Sequence, residues 1–154
     1  GAAPGGWVRY IEDKLSGDEN LYIAVDPSPV KSSGMAKIIR GKSNEPRVSQ
    51  EIERILESKK FDLVLSDMAP NITGVRIVDD CASRELAEEA LNAAYSFLAP
   101  RGRMVAKLFQ GSEARSFMTE TKKCFLKTVL FKPAASRSES REIFVVADGF
   151  KAGR

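Results

Sequence analysis

The chain has 154 residues, 43% of them hydrophobic and 29% charged, no histidine, and a formal net charge of +3. That length suits one domain with a sizeable core, and the composition is that of an ordinary globular protein. The lack of histidine excludes Ser-His and Cys-His nucleophilic chemistry and the usual zinc sites, and no apolar run approaches the roughly 18 residues of a membrane span.

In chain order, the first feature is "GAAPGGW", residues 1–7. Gly1, Gly5 and Gly6 let backbone approach a ligand and turn sharply into a helix that starts near Trp7. Residues 21–26, "LYIAVD", read as a strand ending in Asp26. A carboxylate about 20 residues past a glycine loop stands where ribose hydroxyls are bound. The loop departs from the G-x-G-x-x-G spacing, so it lacks a pyrophosphate cradle and suits an adenosine ligand without one, such as S-adenosylmethionine. A purely structural turn is the competing reading of the loop alone. Residues 36–41 form a second strand candidate, and Pro46 opens a helix through residue 58 with Val48, Ile52, Ile55 and Leu56 at helical spacing.

Residues 61–67, "FDLVLSD", read as a strand with a buried centre ending in Asp67. Asp79 and Asp80 favour a helix N-terminus. That helix runs to about residue 98 with Leu86, Ala90, Leu91, Ala94 and Leu98 on one face, and "APRG" stops it. Residues 103–109, "RMVAKLF", place Lys107 inside an apolar strand. A lysine there is costly to bury unless a carboxylate pairs with it or it loses its proton; otherwise it snorkels to solvent. Ser112 caps a helix to about residue 123. Strands follow at 125–131 and 142–147, joined by the polar loop "KPAASRSESR", and Glu142 starts the last one.

Alternating strands and helices predict an α/β fold with a mostly parallel sheet covered on both faces and an antiparallel C-terminal edge hairpin. Ligands bind such sheets at the carboxyl ends of strands. Cys81 and Cys124 form neither a metal nor a disulfide pattern; both are expected to be buried thiols of a protein in the reducing cytoplasm. Residues 1–98 carry 12 basic and 16 acidic side chains, residues 99–154 carry 12 and 5. A basic C-terminal half suggests an anionic partner such as nucleic acid.

Taken together, GAAPGGW, SDMAPN, VAKLFQG and SREIFVVA closely resemble, in order and over nearly the whole chain, the FtsJ/RrmJ family of RNA ribose 2′-O-methyltransferases. The resemblance implies a Rossmann-like methyltransferase fold, S-adenosylmethionine as donor, and a Lys–Asp–Lys–Glu tetrad whose last three members match Asp67, Lys107 and Glu142. The need to accept a hydroxyl proton points to Lys107 as the base, as the resemblance also implies; Asp67 is then expected to orient Lys107 and the reacting centre, and Glu142 to fix the lysine or the ribose. Gly5, Trp7 and Asp26 match donor-binding positions, with Gly1 and Gly6 in the same loop and Asp67 bordering the site. RNA, ribosomal RNA or a ribosomal particle first, is the implied partner. Lys132, Arg137 and Arg141 flank the serine-rich loop beside Glu142 and are candidate phosphate contacts; Arg103, Lys122 and Lys123 extend that patch.

Two departures from the family's pattern stand out. The family has a helix, the first tetrad lysine and a strand ahead of the glycine loop. The expectation is therefore one methyltransferase domain over residues 1–154, N-terminally incomplete, its first strand absent, and weak in donor binding by itself. Lys42 stands where the family usually has an acidic residue near the adenine, and Asn44 could supply the hydrogen bond instead. The competing functional readings are a catalytically inactive RNA- or ribosome-binding relative and a nucleotide-dependent oxidoreductase, which would need the missing pyrophosphate cradle.

Overall fold

A left-handed turn at Gly5 (φ +119°) leads into the first helix, α1 (Gly6–Lys14). In the computed structural model, which describes residues 1–15, 20–134, 136, 137 and 140–151, this helix belongs to the first of two compact units, Gly1–Lys59 and Lys60–Arg154. The first unit continues with β1 (Ile23–Asp26), β2 (Lys37–Arg40) and α2 (Pro46–Leu56). The two short strands pair in parallel, Ile23 opposite Lys37 and Asp26 opposite Arg40. The Gly41 amide donates to the Asp26 carbonyl at 3.1 Å, which extends the ladder one step past the strand tip. Pro46 sits at the start of α2, where a missing N–H costs nothing. Val48, Ile52 and Leu56, four residues apart, form its buried stripe. Glu57 and Ser58 end the helix with φ of 46° and 74°.

The second unit contains β3 (Phe61–Ser66), α3 (Arg76–Phe97), β4 (Leu98–Phe109), α4 (Ser112–Cys124), β5 (Phe125–Phe131) and β6 (Glu142–Phe150). Its sheet order is β3-β4-β6-β5; β3 and β4 are parallel, and β6 runs antiparallel to both of its neighbours. The expected C-terminal hairpin is present, with β6 inserted beside β4 and β5 at the edge. Period-two alternation puts Met104, Ala106 and Leu108 of β4 on one face, opposite Ala147, Val145 and Ile143 of β6. That face packs with Phe117, Phe125 and the Ala87, Ala90, Leu91 and Ala94 stripe of α3. Each fully buried large side chain, Met104 or Phe117 for example, contributes about 1.5–3 kcal/mol. The opposite face of β4 carries Val105, Lys107 and Phe109.

Several boundaries differ from expectation for local reasons. Helix α3 begins a turn before Asp79, because the Asp79 carboxylate reaches back to the Thr73 amide (2.8 Å), the Thr73 hydroxyl (2.7 Å) and the Gly74 amide (3.2 Å). Strand β4 begins at Leu98 rather than 103: Leu98 pairs with Phe61 and Arg103 with Leu63, so residues 99–102 form an excursion within the strand. Arg101 (φ +66°) and Gly102, where a Cβ would lie 2.9 Å from the Ala99 carbonyl oxygen, shape that excursion. Strand β3 is a sheet edge and Leu63 stays exposed, where a buried centre was expected. Cys124 is buried, but Cys81 is exposed, which corrects the reading of two buried thiols. Among the described residues no helix is long and apolar enough to cross a membrane.

Candidate active site

In the first unit the glycine loop is tied to the tip of β1. The Gly1 and Ala2 nitrogens donate to the Val25 carbonyl at 3.0 and 3.2 Å. Asp26 is buried and accepts the Ala3 amide on Oδ2 (2.9 Å) and the Ser28 amide on Oδ1 (2.8 Å). Burial pushes its carboxyl up, but the Ala3 amide, then the Ser28 amide, together with the positive Gly1 nitrogen, hold it below the usual carboxylate range. Oδ2 also has the Gly1 nitrogen 3.7 Å away, while Oδ1 keeps a second lone pair that a ligand hydroxyl can use.

The two glycines entering α1 have different surroundings. A Cβ on Gly5 would stand 2.3 Å from the Lys31 carbonyl oxygen, so the fold itself demands glycine there. A Cβ on Gly6 would meet nothing within 4 Å. The chain leaves that space open at the N-terminus of α1, which Gly5 does not cap with a side chain. An ionised carboxylate at a strand tip and an open glycine at a helix start fit an adenosyl donor. Trp7 follows, half-buried.

Two acids here escaped the sequence reading. Glu12, buried on α1, accepts the Ser32 hydroxyl (2.5 Å) and the Ser33 (2.8 Å) and Ala36 (3.1 Å) amides, and so organises the segment before β2. The Ser32 hydroxyl first, then the Ser33 amide, holds its carboxyl down at about 2. Nothing in an exposed-looking helix carboxylate signals this; the "SSG" at 32–34, a cluster of small donors, is the only trace. Near Lys42, whose side chain is exposed, the acid present is Glu45: its Oε1 accepts the Lys42 amide at 3.1 Å. Asn44 is exposed.

In the second unit, strand register alone brings the three expected catalytic residues together. Ser66 pairs with Ala106, so the next residues, Asp67 and Lys107, share the opposite face. Glu142 pairs with Phe109, two residues beyond Lys107 on that same face. The side chains meet: Lys107 Nζ lies 3.0 Å from Asp67 Oδ1 and 3.4 Å from Glu142 Oε1. Lys107 is only 9% exposed, so it does not snorkel out to solvent. Its partners remain wetter, with side chains 33% and 45% exposed. Two carboxylates compensate the burial of one ammonium, while their outer oxygens stay open to a polar substrate.

The three expected phosphate contacts separate. Arg137 is exposed. Lys132 is exposed, and its Nζ donates to the Ser140 carbonyl at 3.0 Å. Arg141 turns inward instead: its guanidinium is bound by Asp80 of α3 and lies over the Phe109 ring at 5.5 Å. Its side chain stays about one-third exposed, at 34%. Residues 135, 138 and 139 of the serine-rich loop lie outside the described residues. Of the suggested extension, Arg103 pairs with Asp148 (2.7 Å), and Lys122 and Lys123 occupy the last turn of α4.

Residues 1–150 match the family profile described as FtsJ-like methyltransferase. The chain is 40% identical over 150 residues to ribosomal RNA large subunit methyltransferase E of Chromohalobacter salexigens, covering 97% of this chain and 71% of that protein. It is likewise 40% identical to the protein of that name from Marinobacter nauticus, over 98% of this chain and 72% of that one. Among solved structures, a Plasmodium falciparum protein carrying a ribosomal RNA methyltransferase name superposes with a TM-score of 0.89 at 27% identity, covering 100% of this chain and 85% of that chain.

Proposed function

The chain belongs to the FtsJ-like methyltransferase family, and from that premise we propose that it methylates the 2′-hydroxyl of a ribose in RNA, ribosomal RNA before other classes. S-adenosylmethionine supplies an electrophilic methyl group on a sulfonium. The observation that carries the choice of acceptor is Lys107 Nζ held between Asp67 and Glu142. A sugar hydroxyl is a poor nucleophile near neutral pH and needs its proton accepted as it attacks.

Lys107 Nζ, in its neutral form, takes that proton. The O–H bond breaks, the oxygen forms its bond to the methyl carbon, and the sulfur keeps the electron pair of its broken bond. Asp67 orients the amine. Glu142, the more exposed carboxylate, steadies the amine from the other side and meets the ribose. Asp26, Gly1, Gly5, Gly6 and Trp7 hold the donor. Arg137 and Lys132 meet backbone phosphates, which positions RNA without reading its sequence. Ribosomal RNA or a ribosomal particle is the partner in this reading, and the cytoplasm its compartment.

The test is the chemistry of the product. RNA labelled from methyl-tritiated donor by the protein, expressed from its whole reading frame, is hydrolysed in alkali. A methylated 2′-oxygen cannot attack the neighbouring phosphate, so the label must emerge in alkali-resistant dinucleotides. Label in mononucleotides overturns the ribose assignment. RNA binding with no label in either fraction favours the inactive relative.

A further inference from the structure

Glu142 is the most exposed member of the triad, and it follows a polar loop. Something must hold the start of β6 if its carboxylate is to stay on Lys107. The residue before it, Arg141, is fixed in three independent ways. Its guanidinium is bound by Asp80 Oδ1 near the start of α3. The same group lies 5.5 Å from the centre of the Phe109 ring, and Phe109 is the β4 partner of Glu142. Its carbonyl accepts the Gln110 amide at 2.7 Å, one step past the Phe109–Glu142 pair.

Asp80 is itself prepared for this role. It is buried at 9% exposure, and Arg76 Nε stands 3.9 Å from its Oδ2. A Cβ on Gly111 would lie 3.1 Å from the same oxygen, so the turn after β4 closes tightly around the carboxylate. Helix α3, the end of β4 and the start of β6 are thus joined through one ion pair beside the triad.

We propose that Asp80 and Arg141 are positioning residues for methyl transfer: their pair fixes the backbone entering β6 and so keeps Glu142 Oε1 at 3.4 Å from Lys107 Nζ. The proposal rests on the methyl-transfer reading above. It assigns Arg141 to the geometry of the reaction and removes it from the RNA footprint. A carboxylate displaced by about 1 Å can cost up to roughly a hundredfold in rate with substrate binding intact.

The test is a double-mutant cycle on kcat in the protein expressed from its whole reading frame. Asp80→Asn and Arg141→Gln are each expected to lower kcat about tenfold, leaving the KM for RNA and the Kd for the donor within about twofold. Because both act through one contact, the double variant loses no more than the worse single. Arg141→Lys, which keeps the charge, falls between parent and Arg141→Gln and guards against a folding artefact. Single variants within about twofold of the parent kcat, or losses that multiply in the double, overturn the proposal. So does a raised KM for RNA with a shallower salt dependence in Arg141→Gln alone, the signature of a phosphate contact. An inactive parent overturns both readings, whereas an active parent with insensitive variants overturns only the positioning role.

Discussion

Replacing Gly6 by alanine separates what the donor loop needs for folding from what it needs for binding. Gly6 opens α1 with ordinary helical geometry, and an added Cβ meets no atom within 4 Å. The substitution removes backbone freedom from the unfolded chain, so unfolding free energy should rise by a few tenths to about 1 kcal/mol. The new methyl fills the space assigned to the donor. Overpacking of that size costs about 1–3 kcal/mol, so donor affinity should fall roughly five- to hundredfold. Gly5→Ala is the contrast. Its φ of +119° strains any side chain by about 1–3 kcal/mol. The Cβ, 2.3 Å from the Lys31 oxygen, must also push away the segment whose Lys31 amide donates to the Pro4 carbonyl at 3.0 Å, a bond worth about 1 kcal/mol. Gly5→Ala should therefore lose about 2–4 kcal/mol of stability. Denaturant titration and calorimetry with S-adenosylmethionine read both quantities. Unchanged donor affinity in Gly6→Ala refutes the placement of the donor, and undiminished stability in Gly5→Ala refutes the steric argument.

Glu12→Gln should lower the melting temperature at pH 7. A carboxylate whose folded pKa is depressed stabilises above its unfolded pKa of about 4.5 and loses that contribution as pH falls towards about 2. The gap between variant and parent should therefore narrow across that window in a pH series of melts, and a gap constant with pH would contradict it. Charge reversal of Lys132 and Arg137 together should weaken RNA binding and reduce its salt slope by about two, with donor affinity unchanged, in filter binding at several ionic strengths. An unaltered slope removes both from the RNA footprint. Arg84→Met should destabilise the second unit by about 1–3 kcal/mol in denaturant, because Glu88, Glu113 and Glu120 at 2.7, 3.1 and 2.8 Å lose their shared cation.

Most elements could be read from local pattern because their local preferences agree with their burial. Strand β5 and helix α2 show this: the first matches its apolar run end to end, and the second follows Pro46 and the Val48–Ile52 spacing. Lys107 was legible as an anomaly, a cation inside an apolar strand. What it meets was not, since Asp67 and Glu142 come from strands 40 and 35 positions away and only the register aligns them. The resemblance supplied that link. Arg141 shows the limit: an arginine in a serine-rich loop looks solvated until the β4–β6 ladder brings it beside α3. Asp79 misled the boundary of α3 because an acid that caps from inside the first turn looks the same in sequence as one that precedes it.

The account turns on Lys107 Nζ accepting the ribose proton, and single-turnover methyl transfer with saturating donor tests this most directly when the parent is set beside Lys107→Met. Methionine fills the buried stem's volume, and the half-exposed Asp67 and Glu142 keep their hydration, so fold and donor affinity should persist. The account predicts a rate at least about a hundredfold below the parent with donor Kd within about twofold. A rate within about tenfold of the parent would contradict it and leave the proton to another group.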